Sequence, residues 1–485
     1  MGLDIMIATV PKLQLRSPII GPAILKSVAQ DAGFTCLTVD WNLDLWHSHL
    51  GRKYPEWWYD TDLVFRYEAN FKKKFEEMKP LVKKWVDQVE ELNPRWLGLC
   101  IFSQRSKFMT IEICKELKSR NLETKIVVGG PFVHYCGNNF LNRGYVDAYI
   151  EGEGEQALVA LLKGEDHGGV NGFAPQIDDL DQIPIPDYSD CDFSLYPKRY
   201  EQPEIYDPKK MGSDILYITG SRGCVRRCSF CDVGFQWKKF RYRSGKSIAE
   251  EMLTQHRTHG IRRFYFTDSL LNGSVPILKE LCETLIETYK RENMKKLRWQ
   301  GQFICRPKKS MPPEIFDLMA EAGYEYVSMG VESISEKVRN DMKKHFSNED
   351  LLYTLEQCHR TGVTVSMLMM VGFPTETESD FQETLKFFEE NQRYRDSGTI
   401  RTVTLGPTCE IVKGSPLYFD VDKLGIHFDE MGHWVYKDNN MKTRIDRYIR
   451  FHNLMKNLNY DLTAKTVAHL EEELIQIQEL EKLSS

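Results

Sequence analysis

The chain has 485 residues, 41% hydrophobic and 28% charged, with a formal net charge of −6. This composition supplies core for two or three folded domains and excludes collagen-like, low-complexity and disordered classes. The mild acidity gives no bulk electrostatic reason to expect a nucleic-acid partner, and no apolar run reaches the roughly 18 residues that a membrane helix needs.

The N-terminal stretch shows no signal-peptide pattern, and Met6 stands where a myristoylation signal needs a hydroxyl residue. A cytoplasmic location is therefore expected. Residues 5–10 read as a strand and 19–32 as a helix closed by Gly33. Strands follow at 36–40 and 96–102, then a helix at 111–120. Another strand at 125–128 ends on Gly129-Gly130-Pro131, and a last one covers 146–151. This alternation predicts a doubly wound, Rossmann-like α/β domain over residues 1–165. Ligands on such sheets sit beyond the carboxyl ends of the strands. Ser103 and the Gly129-Gly130 turn fall there. Within the domain, residues 45–95 carry Trp46, Trp57 and Trp58 and then a Lys- and Glu-rich run to Leu92. They read as a solvated helical insertion.

Residues 166–212 are rich in Asp, Pro and Tyr and read as a connector, since segments such as Ile183-Pro-Ile-Pro-Asp187 hold neither helix nor central strand. From residue 215 the alternation resumes. Strands are expected at 215–219, 263–267, 298–304, 326–330, 364–371 and 400–405. Helices are expected between them at 247–259, 275–291, 313–322, 348–361 and 378–391. The pattern predicts a partial (β/α)6 barrel, TIM-like, over residues 213–410, with its chemistry on the loops that follow the strands. Residues 411–485 become irregular and then helical, with a Glu- and Leu-rich stretch at 464–483. They read as a mainly helical C-terminal extension.

Nine of the twelve cysteines are scattered and read as small core residues, reduced rather than disulfide-bonded. The other three, Cys224, Cys228 and Cys231, lie in one eight-residue window with Phe230 before the last. Cys-x3-Cys-x2-Cys packs thiolates tightly enough to hold three irons of a cubane iron–sulfur cluster. Three thiolates leave one iron open to a non-protein ligand, which is a catalytic arrangement. The competing reading is a structural zinc site, which wants four ligands, usually in paired Cys-x2-Cys form.

The window, its place after a strand and its aromatic resemble the radical S-adenosylmethionine (SAM) superfamily. In that family three thiolates hold a [4Fe–4S] cluster, SAM chelates the fourth iron, and one electron yields a 5′-deoxyadenosyl radical that abstracts hydrogen from an unactivated carbon. The resemblance implies SAM-binding roles for Phe230 and for Asp268 and Ser269, which end Phe264-Tyr-Phe-Thr-Asp-Ser269 where many members have Gly-Gly-Glu. It implies the same for Arg306, for Glu332 and Ser333 in Tyr326-Val-Ser-Met-Gly-Val-Glu-Ser333, and for Gly372 in Val371-Gly-Phe-Pro-Thr-Glu-Thr377. Thr375 departs from the glycine often found there.

The N-terminal half is similar to the cobalamin-binding domain fused ahead of many radical SAM barrels. The similar residues are Pro11, Ser17-Pro-Ile-Ile-Gly21, Asp40, Val127-Val-Gly-Gly-Pro131, Val146-Asp147 and Glu151-Gly-Glu-Gly-Glu155. It implies that Ser103, Gly129 and Gly130 meet cobalamin, since only residues without bulky side chains allow such close approach. The Asp-x-His-x-x-Gly ligand motif is absent, which implies a cobalt with no histidine beneath it. A dinucleotide site is weaker, as no Gly-x-Gly-x-x-Gly follows the first strand. The joint resemblance implies a cobalamin-dependent methyltransferase, with cyclisation, ring contraction, rearrangement or oxidation as alternatives. It also implies an electron donor such as flavodoxin or ferredoxin. A non-catalytic zinc-binding or interaction protein is the third reading.

Overall fold

The computed structural model describes residues 2–13, 15–58, 62–165, 168–197, 212–429 and 432–464. They form two compact units, one of residues 1–217 with 251–263 and the other of residues 218–250 with 264–485.

The first unit is built on a six-stranded sheet. In chain order its elements are β1 (Ile5–Thr9), α1 (Ile20–Asp31), β2 (Cys36–Asp40), α2 (Trp41–His47), α3 (His49–Lys53), α4 (Glu68–Leu92), β3 (Trp96–Cys100), α5 (Lys107–Ser119), β4 (Lys125–Gly129), α6 (Val133–Asn142), β5 (Ala148–Glu151), α7 (Gly154–Lys163) and β6 (Gly172–Phe173). The sheet order is β2-β1-β3-β4-β5-β6 and every neighbouring pair is parallel. Near-continuous apolar strands such as Ile-Met-Ile-Ala-Thr in β1 are what a sheet covered on both faces requires. The order reverses at β1, so the topological switch lies at the carboxyl ends of β1 and β3, where doubly wound sheets open a ligand crevice.

The stretch from 45 to 95 is not the solvated insertion that its charges suggested. Trp46, Trp57 and Trp58 are buried, and Trp41 stacks on Trp85 with ring centroids 5.4 Å apart. Helix α4 turns Phe71, Met78, Val82, Trp85, Val86 and Val89 inward, and these belong to the same core as β1 and β3. Its Lys and Glu side chains cover only the outer face, so α4 is the crossover helix between β2 and β3. The connector runs along α1. Buried Lys26 meets Asp190 at 2.7 Å and Asp187 at 3.4 Å, and the Ser27 hydroxyl donates to the Ile185 carbonyl at 2.7 Å.

The second sheet begins with β7 (Ile215–Ile218), which straddles the boundary between the units. Next come the hairpin strands β8 (Ser221–Arg222) and β9 (Arg241–Tyr242), with the single turn α8 (Val233–Gln236) between them. The β/α series continues through α9 (Gly245–His259), β10 (Arg263–Phe266), α10 (Val275–Glu292), β11 (Arg298–Phe303), α11 (Pro313–Glu321), β12 (Tyr324–Glu332), α12 (Glu336–Asp341), α13 (Asn348–Thr361), β13 (Thr364–Met369), α14 (Glu378–Glu390), α15 (Arg393–Asp396) and β14 (Ile400–Leu405). The chain then adds α16 (Pro416–Phe419), α17 (Val421–Leu424), a small hairpin of β15 (His427–Phe428) and β16 (Trp434–Val435), α18 (Met441–Asn457) and β17 (Leu462–Thr463).

The sheet order is β17-β14-β13-β12-β11-β10-β7. Each strand lies beside its sequence successor, the winding of a β/α barrel rather than of a switched sheet. The six expected strands are present within a few residues, and β17 adds a seventh. The region after 410 is thus helical but also returns a strand to the sheet. The expected helix at 464–483 lies outside the described residues, apart from Ala464.

Candidate cluster and cofactor sites

The cysteine loop leaves the sheet after β7 and is pinched at its base by the antiparallel pair β8–β9, with Ser221 opposite Tyr242. Gly223 takes φ +89°, and a Cβ there would lie 2.7 Å from the Lys239 carbonyl, so only glycine lets the two arms approach. Arg227 closes the loop from inside, donating to the carbonyls of Trp237 at 3.2 Å and Lys238 at 2.6 Å. Ser229 anchors the tip. Its N–H donates to the Met342 carbonyl at 3.0 Å and its hydroxyl to that of Asp341 at 3.1 Å, while the Leu417 N–H donates to the Ser229 carbonyl at 2.7 Å. The three thiols are therefore presented by a braced loop.

All three cysteines face a cavity of about 700 Å³. Its other walls come from the carboxyl ends of consecutive strands: Thr267 and Ser269 after β10, Gln302 on β11, Gly330 and Glu332 on β12, and Leu368 on β13. This is where a β/α barrel places its chemistry. Burial pushes the Cys228 thiol up to about 11 against the pull of Lys344, and burial also raises Cys231. Among the described residues, no group of three or more His, Cys, Asp or Glu side chains converges on the position of a single metal ion. Three thiols that line one cavity suit a multi-iron group.

Glu332 and Lys344 form the charged part of the wall. Lys344 Nζ lies 3.0 Å from Glu332 Oε1 with both side chains largely buried, and 5.6 Å from the centre of the Phe230 ring. Glu332 has φ +67°, and Lys343 and His345 on either side of Lys344 have φ +59° and +50°. Left-handed backbone at non-glycine residues costs about 1–3 kcal/mol each and clusters where side chains must be aimed. Arg339, fully buried, holds this loop. It donates to the carbonyls of Ser333 (2.7 Å), Ile334 (2.9 Å) and Phe346 (3.2 Å) and to the Asn348 side chain (2.7 Å).

Of the residues expected to meet SAM, Phe230, Ser269 and Glu332 line the cavity with the cysteines. Asp268 lies beneath them. Its carboxylate accepts from the Gly220 N–H at 2.9 Å and from the Ser221 hydroxyl, and burial raises its pKa to about 6. It thus braces the start of the cysteine loop. Ser333 is fully buried and accepts from the Ser335 N–H at 3.3 Å. Gly372, with φ +80°, is packed against Arg444 and donates to Glu376 at 2.8 Å. Neither is among the wall residues. Arg306 donates to the Gly273 carbonyl at 2.9 Å and feels the charges of Arg226 and Cys224. Lys344, Gln302 and Thr267 are wall residues that sequence reasoning did not single out.

In the first unit, Gly129 and Gly130 end β4 beside the residues that follow β3. The Ile101 N–H donates to Gly129 at 2.8 Å and the Phe132 N–H to Ile101 at 3.1 Å. Ser103 follows the exposed Phe102 on that edge, and its hydroxyl accepts from the Arg105 N–H. Gly130 has φ +107°, and a Cβ on it would stand 2.8 Å from the Ile101 carbonyl. A Cβ on Gly129 would meet nothing nearer than 3.9 Å. The carboxyl end of β4, next to β3, thus leaves open space at Gly129. Asp40 is engaged elsewhere, accepting from the Tyr196 hydroxyl at 2.6 Å and from the Leu43 N–H at 2.9 Å.

Comparison with known proteins identifies both domains. Residues 218–388 match the radical SAM superfamily family model, and residues 65–162 match the B12 binding domain model. The chain therefore carries a B12-binding domain ahead of a radical SAM domain, and the cofactors of this combination are a [4Fe–4S] cluster, SAM and cobalamin.

An uncharacterized methyltransferase of Pyrococcus horikoshii is 24% identical over 62% of this chain and 65% of its own length. The anaerobic magnesium-protoporphyrin IX monomethyl ester cyclase of Rubrivivax gelatinosus is 26% identical over 57% of this chain and 50% of its own. The chain thus spans about half to two thirds of these relatives. The fold is that of the radical SAM methyltransferase TsrM from Kitasatospora setae, with a TM-score of 0.61 at 18% identity, covering 87% of this chain and 75% of that one. It is also that of the cobalamin-dependent SAM radical enzyme OxsB, with a TM-score of 0.66 at 16% identity, covering 93% and 67%.

Proposed function

We propose that this chain is a cobalamin-dependent radical SAM methyltransferase acting on an unactivated carbon. The observation that carries the reading is the presence, in one chain, of a three-thiol cavity at the strand ends of one unit and a glycine turn at the carboxyl end of β4 in a B12-binding domain. When bound, the cluster with SAM supplies a 5′-deoxyadenosyl radical and cobalamin supplies a transferable methyl group.

The chain's own residues do the positioning. Cys224, Cys228 and Cys231 would hold the cluster, and Phe230 lines the cavity beside them. Glu332, fixed by Lys344, accepts from polar groups of SAM, with Ser269 beside it. Arg306 and Lys344 attract the SAM carboxylate, and the Asp268 brace keeps the loop in place. Ser103, Gly129 and Gly130 admit cobalamin to the sheet edge. Domain limits of 1–165, 166–212, 213–410 and 411–485 go with this reading. So does a low-potential electron donor of the flavodoxin or ferredoxin kind.

The test is anaerobic incubation of the cobalamin-loaded, cluster-loaded chain with methyl-labelled SAM and a reductant. Label is expected on cobalamin, with S-adenosylhomocysteine formed in equal amount. A second reading, radical cyclisation or rearrangement without methyl transfer, is favoured by the cyclase relatives at similar identity. Sustained 5′-deoxyadenosine formation with no S-adenosylhomocysteine and no label transfer would select it.

A further inference from the structure

We propose that Arg226, inside the cysteine window, sets the reduction potential of the cluster that the three thiols hold. The inference rests on the proposed cluster site. Its basis is a cation of the thiol-lined cavity that has no counter-charge among the described residues.

Arg226 lines the same cavity as Cys224, Cys228 and Cys231, and its N–H donates to Cys224 Sγ at 3.4 Å. The other cations of that wall are engaged: Arg227 with two backbone carbonyls, and Lys344 with Glu332. Among the described residues no carboxylate lies within ion-pairing distance of the Arg226 guanidinium. Arg306, which donates to the Gly273 carbonyl at 2.9 Å, is a second cation within electrostatic reach. It feels both Arg226 and the Cys224 sulfur, and its buried Nε–H has no acceptor.

A cation that faces the thiols is stabilised when a negative group fills the cavity. Three thiolates on a [4Fe–4S] core make a net monoanion, and one added electron makes it a dianion. The reduction step forms and breaks no bond. One electron enters from a low-potential one-electron donor and resides on the irons. A nearby cation and an N–H···S hydrogen bond favour the more negative state, and charge and hydrogen bonding are both levers on cluster potentials. The backbone bond survives substitution at position 226, so the side-chain charge can be tested alone.

The experiment is a potentiometric titration of the anaerobically reconstituted chain without SAM. Dithionite serves as the reductant, and the reduced cluster is followed by electron paramagnetic resonance. Arg226→Gln is expected to lower the reduced-to-oxidised ratio at fixed potential at least tenfold, a midpoint more negative by 59 mV or more for a one-electron couple. Arg226→Lys, which keeps the charge, is expected to stay near wild type.

A change of less than twofold in Arg226→Gln overturns the proposal, as does an unchanged midpoint accompanied by weakened SAM binding. If Arg226→Gln takes up no cluster, Arg306→Gln carries the same test: a shift in the same direction supports the charge effect and none overturns it. A wild-type chain that takes up no cluster at all would defeat this inference and the proposed function together. A normal cluster with an unmoved midpoint defeats this inference alone.

Discussion

Lys344 Nζ sits 3.0 Å from Glu332 Oε1, both side chains largely buried in the cavity wall, with left-handed backbone at Glu332 and on both sides of Lys344. Breaking such a pair by removing one partner leaves a buried charge unmatched. Lys344→Met is therefore expected to lower stability by about 3–5 kcal/mol, read as a reduced urea midpoint. Lys344→Met combined with Glu332→Leu removes both charges and is expected to recover most of that loss. Both variants are expected to bind SAM at least tenfold more weakly in equilibrium dialysis. A double variant with native SAM affinity would remove this pair from the SAM site.

Asp268 provides a pH test. Burial raises its folded pKa to about 6, while the unfolded chain keeps the ordinary value near 3.8. The folded state therefore holds this proton more tightly. Its contribution is fully present below about pH 3.8 and is lost as pH rises to about 6, by about 3 kcal/mol in all. Asp268→Asn cannot ionise, so the difference in unfolding free energy between variant and wild type is expected to shift in the variant's favour by about 2 kcal/mol from pH 4 to pH 7. A difference that stays flat across this range would show that Asp268 does not titrate there.

The two glycines after β4 separate folding from ligand binding. Gly130→Val forces a β-branched residue to φ +107° against the Ile101 carbonyl and is expected to cost at least about 1–3 kcal/mol. Gly129→Val has free space in the folded chain. It is expected to leave the melting temperature within a few degrees while cutting retained cobalamin about tenfold, measured by absorbance after gel filtration. Full cobalamin retention in Gly129→Val would move the cofactor away from this edge.

Replacing any one of Cys224, Cys228 or Cys231 with Ala is expected to abolish the brown cluster band near 400 nm and 5′-deoxyadenosine formation. Far-ultraviolet circular dichroism and cobalamin uptake are expected to stay at wild-type levels, because the thiols line a cavity of the second unit and are not part of its packed core. Loss of helical signal in these variants would assign the cysteines a folding role.

The sequence made the alternation of both sheets legible, since buried parallel strands write themselves as apolar runs and α13 carries a full capping box at Ser347 and Asp350. It also made the thiol window legible, because its spacing is local. It hid α4's role, where a charged outer face masked an inner row spaced from Phe71 to Val89. It hid Lys344 too, which stands in Lys343-Lys344-His345 and reads there as a solvated charge run. What makes it a wall residue is Arg339 tying Ser333, Ile334 and Phe346 together, a pattern of backbone acceptors with no sequence signature. Asp268 was visible as an acidic strand end, but its partners Gly220 and Ser221 become neighbours only once β7 and β10 lie in one sheet.

The two-residue strand β17 pairs with Val403 and Thr404 of β14, the outermost long strand of the second sheet. Without that pairing, β14 would present a row of unsatisfied N–H and C=O groups, a template for joining other chains. The return of the chain after α18 therefore acts as protection against self-association. Shortening it before Leu462 is expected to turn a monodisperse preparation into one that forms soluble aggregates in light scattering, before any cofactor is lost.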